Sequence, residues 1–261
     1  MKNILITILV FLTLIINLRA QTVTKYSTAQ AHSHNDYEQD RPFTEAYLQQ
    51  FGSIEADLFL IDDSLYVAHN RSDIKTDRTF SKLYLDPILA QIKKNDGHIY
   101  PQQDLQLQLL IDLKTPAEET LSALVKLLQP YKDIFVPKGT VKIVVSGNTP
   151  SPESFDRYPS FIYFDGRPDI AYTADQLKRI GLISQAFQKY SKWNGEGDIP
   201  EKDKKSLNKV IDQTHKQDKK IRFWATPDNI HTWKTMMALQ VDFLNTDKVI
   251  QMGDYLRTAP R

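Results

Sequence analysis

Six polar side chains interrupt or follow short apolar runs: His32 in AHSHND, Glu55 and Asp57 in SIEADLFL, His69 in LYVAHN, and Asp112 with Lys114 in LLIDLKT. Each run reads as a short buried strand. Glu55 and Asp57 are two apart, so an extended chain projects both to the same side. Two carboxylates in one space repel unless a proton or a cation lies between them. Asp112 supplies a third. An all-oxygen ligand set favours Mg²⁺ or Ca²⁺ over zinc. One divalent cation held by Glu55, Asp57 and Asp112 is therefore predicted, with room left for water and phosphate oxygens. His32 and His69 are the predicted acid and base, because imidazole titrates near working pH. The chemistry this set describes is metal-assisted cleavage of a phosphodiester.

Neighbouring residues have more than one reading. Lys114 either neutralises a phosphate oxygen or pairs with Asp112. Asn35 contacts phosphate or a ligating carboxylate. His34 is a substitute base, a further ligand or a loop hydrogen bonder, and Asp36 is an extra ligand or a turn former. Trp224 is a substrate wall or packs the fold. Arg167 in FDGRP, Gln185 in LISQAF, and Asn245 and Asp247 after the final strand are further candidates.

These residues need a scaffold that brings strand ends together. Strands are predicted at 30–33, 53–60, 105–113, 141–145, 161–164, 182–186, 221–225 and 241–244, with a hairpin arm at 64–68. Helices are predicted at 86–94, from Pro116 through Leu128, from near Pro152, and at 201–217, 230–239 and 249–256. Eight strands alternating with helices point to an α/β fold, a (β/α)8 TIM barrel. Barrel chemistry sits at the C-terminal strand ends, where His32, Glu55, Asp57, Asp112 and Lys114 fall. An open doubly wound sheet is the alternative, but its Gly-rich phosphate loop is missing from AHSHND. No GxSxG, P-loop, HExxH or GxGxxG motif occurs.

The chain has 261 residues, no Cys, and a formal net charge of +1. Lacking Cys, it has neither thiol catalysis nor disulfides, and its charge balance favours no nucleic-acid partner. Lys2 followed by an apolar stretch from Ile4 to Ile16 and a small residue at Ala20 reads as a signal peptide over 1–20. Cleavage ahead of Gln21 leaves no membrane span, so an exported, periplasmic or secreted protein is expected. Residues 21–261 are expected to form a single barrel domain, with the oligomeric state open.

His32, then Glu55-Ala56-Asp57, then His69, in that order, resemble the phospholipase C-like phosphodiesterase superfamily. It includes glycerophosphodiester phosphodiesterases, phosphatidylinositol-specific phospholipases C and sphingomyelinase D toxins. AHSHNDY, SIEADLFL and LYVAHN look closest to a branch named for "altered inheritance of mitochondria" proteins. The likeness extends through RFWAT and LQVDFLNTDK, to about Asp247. It implies a TIM barrel, a metal-dependent phosphoric diester hydrolase of lipid metabolism, and a small glycerophosphodiester or phospholipid-headgroup-like substrate. Departures exist: Ser33 and His34 stand where glycerophosphodiesterases have Arg-Gly, and Pro42-Phe43-Thr44 lacks their Glu. His32-x-x-Asn35 with Asp112-x-Lys114 looks more like sphingomyelinase D. Alternatives are a catalytically silent barrel that binds lipid headgroups or sugars, and a barrel glycoside hydrolase using paired carboxylates.

Overall fold

The structure is a computed structural model that describes residues 25–258. The predicted leader and its cut ahead of Gln21 lie outside the described residues. Nine strands form one sheet: β1 (Ala31–Ser33), β2 (Ser53–Ile61), β3 (Ser64–Val67), β4 (Leu107–Leu113), β5 (Val141–Gly147), β6 (Ile162–Gly166), β7 (Ile180–Ala186), β8 (Ile221–Trp224) and β9 (Leu244–Thr246). Eight of them run parallel in the order β8-β7-β6-β5-β4-β2-β1-β9, and β3 folds back antiparallel on β2. A parallel bridge between Arg222 and Phe243 joins the two ends of that order. The sheet is thus a nearly closed (β/α)8 barrel.

Helices follow the strands: α1 (Thr44–Leu48), α2 (Asp86–Lys94), α3 (Ala117–Leu128), α4 (Ala174–Arg179), α5 (Glu201–His215), α6 (Ile230–Ala238) and α7 (Val249–Thr258). Their start signals are local. Thr173 accepts from Gln176 N in a capping box at α4, and Asn229 accepts from Thr232 N at α6. α1 and α4 escape the sequence reading because at five and six residues they are too short to show an apolar period. The element near Pro152 is a 3-10 helix, Pro152–Arg157.

The predicted final strand at 241–244 needs correction. The N–H groups of Asp242 and Phe243 both turn to the carbonyl of Ile221, and the Asp242 carboxylate accepts from Ile221 N at 2.8 Å. That makes a corner, and the ladder starts at Leu244. Asn245 consequently lies within β9, opposite His32, rather than after it.

Strand alternation sorts the side chains into two cores. Ile54, Ala56, Leu109, Ile111, Ile143, Val145, Ile162 and Phe164 belong to the large layer between barrel and helices. Leu110, Val144, Leu182 and Phe243 form a small separate plug inside the barrel. Burying each such aliphatic side chain contributes about 1.5–3 kcal/mol. The plug matters to function because it is the dry floor on which the polar strand ends stand.

Candidate active site

Register decides which side chains share the layer above the plug. Asp57 pairs with Asp112, and Asp112 with Ser146. Glu55 pairs with Leu110, one layer lower. Around the ring, Asp165, Ser184, Arg222 and Trp224 complete the upper wall. They enclose a cavity of about 160 Å³ whose floor is Leu110 and whose wall includes His34, Asn35, Glu55, His69, Asp112 and Lys114.

The three predicted carboxylates come together. Glu55, Asp57 and Asp112 each offer an oxygen within 4.8 Å of the others. Asp57 is buried, and its Oδ2 accepts from the Tyr37 hydroxyl at 2.7 Å and Lys114 Nζ at 3.0 Å. Its Oδ1 is buried with no partner, and such an atom costs about 1–3 kcal/mol unless something binds it. Lys114 also reaches Asp112 at 3.2 Å, so the expected pairing with Asp112 forms and Asp57 shares the same ammonium. Burial, reinforced by the charge of Glu55, pushes the Asp57 carboxyl up to about 6 despite Lys114. Burial also raises Asp112. Glu55 goes the other way: burial alone would raise it, but the Arg222 guanidinium and His32 hold it well below the usual carboxylate range. Charge crowding, an all-oxygen donor set and the orphaned Asp57 Oδ1 all fit a hard divalent cation.

Gly147 makes room for this group. Its φ is +71°, and a Cβ there would lie 1.9 Å from Asp112 Oδ1. Only glycine allows both that backbone conformation and that carboxylate position.

The two predicted histidines have opposite environments. His69 follows β3 and its side chain is 50% exposed. Its Nδ1 lies 3.1 Å from the Tyr37 hydroxyl and 3.7 Å from Asp57 Oδ2. It borders a second, open groove of about 560 Å³ that Tyr37, Val67, Ile74, Lys75 and Arg78 also line. His32 has no exposed surface and is not on the wall of the cavity. Its Nδ1 is 2.7 Å from Ser53 Oγ, and its Nε2 is 2.8 Å from Glu55 Oε2 and 2.5 Å from Arg222 Nη1. Arg222 Nη1 also donates to Glu55 Oε2 at 2.8 Å. A proton on Nε2 serves Glu55 but meets the Arg222 hydrogens, whereas a proton on Nδ1 goes to Ser53 and leaves Nε2 and Oε2 as two acceptors sharing Arg222 Nη1. Burial, with Arg222 alongside, lowers the His32 pKa to about 3.

His34 stands on the cavity wall with Nδ1 2.7 Å from Asp247 Oδ1. Burial works against its charge, but the Asp247 hydrogen bond prevails and the pKa is raised. Asn35 accepts from Tyr37 at 3.0 Å. Asp36 is no ligand: it is fully buried and accepts from Ser33 Oγ, Phe43 N and Tyr84, pinning the loop after β1. Gln185 is buried off the cavity and bonds its neighbour Ala186.

On the opposite wall Arg167 donates to Asp165 Oδ2 at 2.7 Å and stacks 5.1 Å over the Trp224 ring. Ser146 and Ser184 also donate to Asp165 Oδ2. Trp224 thus seats a cation facing the carboxylate cluster. Sequence reasoning missed Tyr37, Ser146, Asp165, Ser184 and Arg222. The last four had a signal: each breaks an apolar strand at an inward position, as in VVSG, YFDG, LISQ and IRFW. Tyr37 had none.

This geometry agrees with what the chain is similar to. Residues 21–158, just over half of the chain, match the AIM6-like phosphodiesterase domain. Residues 220–250 match the glycerophosphoryl diester phosphodiesterase family. The altered inheritance of mitochondria protein 6 homolog of Arthroderma benhamiae is 27% identical, over 84% of this chain and 81% of that protein. The altered inheritance of mitochondria protein 6 of Eremothecium gossypii is 26% identical, over 84% of this chain and 67% of its own. A phosphatidylinositol-specific phospholipase C from Listeria monocytogenes superposes with a TM-score of 0.45 at 12% identity, covering 93% of this chain and 97% of that one. With a match across the first strand, the acidic pair, His69 and Asp112, the chain belongs to the AIM6-like phosphodiesterase domain family.

Proposed function

We propose that the chain is a metal-dependent phosphoric diester hydrolase acting on a small glycerophosphodiester or phospholipid-headgroup-like substrate. The observation that carries this reading is the cluster of Glu55, Asp57 and Asp112 with its unpartnered Asp57 Oδ1. A bound Mg²⁺ or Ca²⁺ would supply positive charge to phosphate oxygens. The remaining work belongs to the protein. Lys114 and Arg167 present cations from two sides of the cavity, and both suit an anionic phosphodiester. The cavity has room for a phosphoryl group and little more, so an ester arm must extend beyond it. His69 borders both the cavity and the open groove, which supports a role for it beside an alcohol leaving through the groove. A histidine at the end of β1 takes the proton of the attacking water or substrate hydroxyl, and His69 returns one to the leaving oxygen.

We also propose that the enzyme is exported, on the leader expected over 1–20, and that it serves lipid metabolism, on its resemblance to the phospholipase C-like phosphodiesterases. Among the described residues no helix is long and apolar enough to cross a membrane.

One observation favours a second reading, a barrel that binds anionic headgroups without turnover. Lys114 and Arg222 already ion-pair with the carboxylates, as they would in a site needing no metal. Hydrolysis of bis(p-nitrophenyl) phosphate and a panel of glycerophosphodiesters, with Mg²⁺, Ca²⁺ or EDTA, separates the two. Turnover that needs a cation and falls at least 100-fold in Asp57→Asn is expected, that size being about the loss of one transition-state contact. Turnover that persists in EDTA would remove the metal, and none under any condition would leave the binding protein.

A further inference from the structure

We propose that the N-terminal mouth of the barrel, opposite the carboxylate cluster, holds a second site that binds a small dianionic oxyanion, inorganic phosphate or a phosphomonoester, between Lys142 and Lys220. The site stands whether or not the chain hydrolyses phosphodiesters.

Register places it. Gln108 pairs with Ser53 on one side and with Lys142 on the other. Gln108 and Lys142 each precede by two residues a side chain of the inner plug, Leu110 and Val144. Both therefore point into the barrel, one layer below the plug. The cavity at this mouth measures about 250 Å³, and Gly52, Gln108, Lys142, Lys220 and Phe243 help to line it. It shares no lining residue with the cavity at the other mouth.

The lysines are unneutralised. A half-buried, inward-facing ammonium is costly unless an anion meets it. Lys142 Nζ donates to Gly181 O at 3.0 Å and lies 5.0 Å over the Tyr163 ring, and Lys220 Nζ lies 5.0 Å over the Phe243 ring. Among the described residues the lysines in ion pairs are Lys114, Lys138, Lys178 and Lys189, so Lys142, Lys220 and neighbouring Lys219 lack one. The one carboxylate on the cavity wall, Asp104, is exposed and pairs with neither lysine. Burial, with the charges of Lys220 and Lys219 added, lowers the Lys142 pKa to about 8. Gly181 makes room for this side chain, since a Cβ there would lie 3.2 Å from Lys142 Cε and 2.7 Å from Val144 Cγ2.

Gln108 adds a donor. It is only 4% exposed, one end of its amide lies 3.0 Å from Ser53 Oγ, and the other end bonds nothing among the described residues. With the His32 proton on Nδ1, Ser53 Oγ accepts it and its own hydrogen needs an acceptor. The Gln108 carbonyl oxygen is the group within reach, which leaves the amide NH2 facing the cavity. An amide donor beside two unpaired ammoniums matches the oxygens and the double charge of a phosphate. A monoanion would leave one ammonium uncompensated.

The test follows acetylation of single lysines in the full chain by N-hydroxysuccinimidyl acetate, at low extent of reaction, read by peptide mass spectrometry. Rates are compared in sodium chloride, sodium phosphate and sn-glycerol 3-phosphate at equal ionic strength. Only the free amine reacts, so a bound dianion that raises the Lys142 pKa by about one unit should slow its acetylation about tenfold near neutral pH. Lys209, exposed on α5, should react equally in all three salts. Lys114 is read in the same digest, so an ion at the other mouth is told apart. Lys220→Gln, at an exposed position, should lose most of the protection at Lys142. Protection by phosphate alone would assign the site to the free ion, and protection by both would extend it to phosphomonoesters. Protection no greater than chloride gives, or protection that Lys220→Gln leaves intact, would overturn the site. No arm of the test depends on turnover.

Discussion

Acid should expose the sealed state of His32. Its pKa is about 3 in the fold against 6.5 for the free side chain, so the folded state refuses a proton that the unfolded chain accepts. A depressed histidine leaves stability intact above pH 6.5 and removes it as pH falls towards 3. Between pH 7.5 and 4.5 the unfolded chain gains nearly the whole proton and the fold gains almost none. At 1.36 kcal/mol per pH unit below 6.5, that amounts to about 2.7 kcal/mol. Asp36 and Asp57, each raised to about 6, act in the opposite direction, because the fold takes up their protons first. The raw pH profile therefore mixes opposing contributions, and a difference is needed. Urea unfolding of the parent protein and His32→Gln, followed by tryptophan fluorescence in EDTA, supplies it. Asp36 and Asp57 cancel in the subtraction, and Glu55 stays ionised in both proteins because Arg222 remains on it. The stability advantage of the parent over the variant should shrink by about 2.7 kcal/mol on going from pH 7.5 to 4.5. An advantage constant to within about 0.5 kcal/mol would mean that His32 titrates freely, and the sealed neutral imidazole would be wrong.

Two further outcomes are expected. Gly147→Ala forces a Cβ to within 1.9 Å of Asp112 Oδ1 at a φ of +71°, which should cost about 1–2 kcal/mol of stability and weaken Mg²⁺ or Ca²⁺ binding by roughly 10-fold or more; titration calorimetry giving unchanged affinity would show that Asp112 does not hold the cation. Trp224→Ala removes the ring under Arg167 and should raise KM roughly 2- to 30-fold with little change in kcat, from a cation–π contact of about 0.5–2 kcal/mol; an unchanged KM in steady-state assays would leave Asp165 as sufficient support for Arg167.

The sequence alone determined the alternation of strands and helices and hence the barrel, because apolar runs of four to eight residues and amphipathic stretches are local signals. It also determined that Glu55, Asp57 and Asp112 share a site, since a two-residue spacing fixes the face and a strand end fixes the layer. The boundary of β9 was not legible, because Val241 and Phe243 are as apolar as a strand yet form the corner around Ile221. Nor was it legible which of His32 and His34 faces the cavity. His32 lies in β1 and His34 one residue past its end, two apart in the chain, and the sequence cannot say how deep each sits. Depth depends on the register of β1 against β2 and β9, and on a guanidinium that arrives from Arg222, 190 residues away. The same long-range closure brings Asp247 to His34 and Arg167 onto Trp224. Only the closed barrel sets these pairings, because each needs two strands that are remote in the chain to be neighbours or to face each other across one mouth.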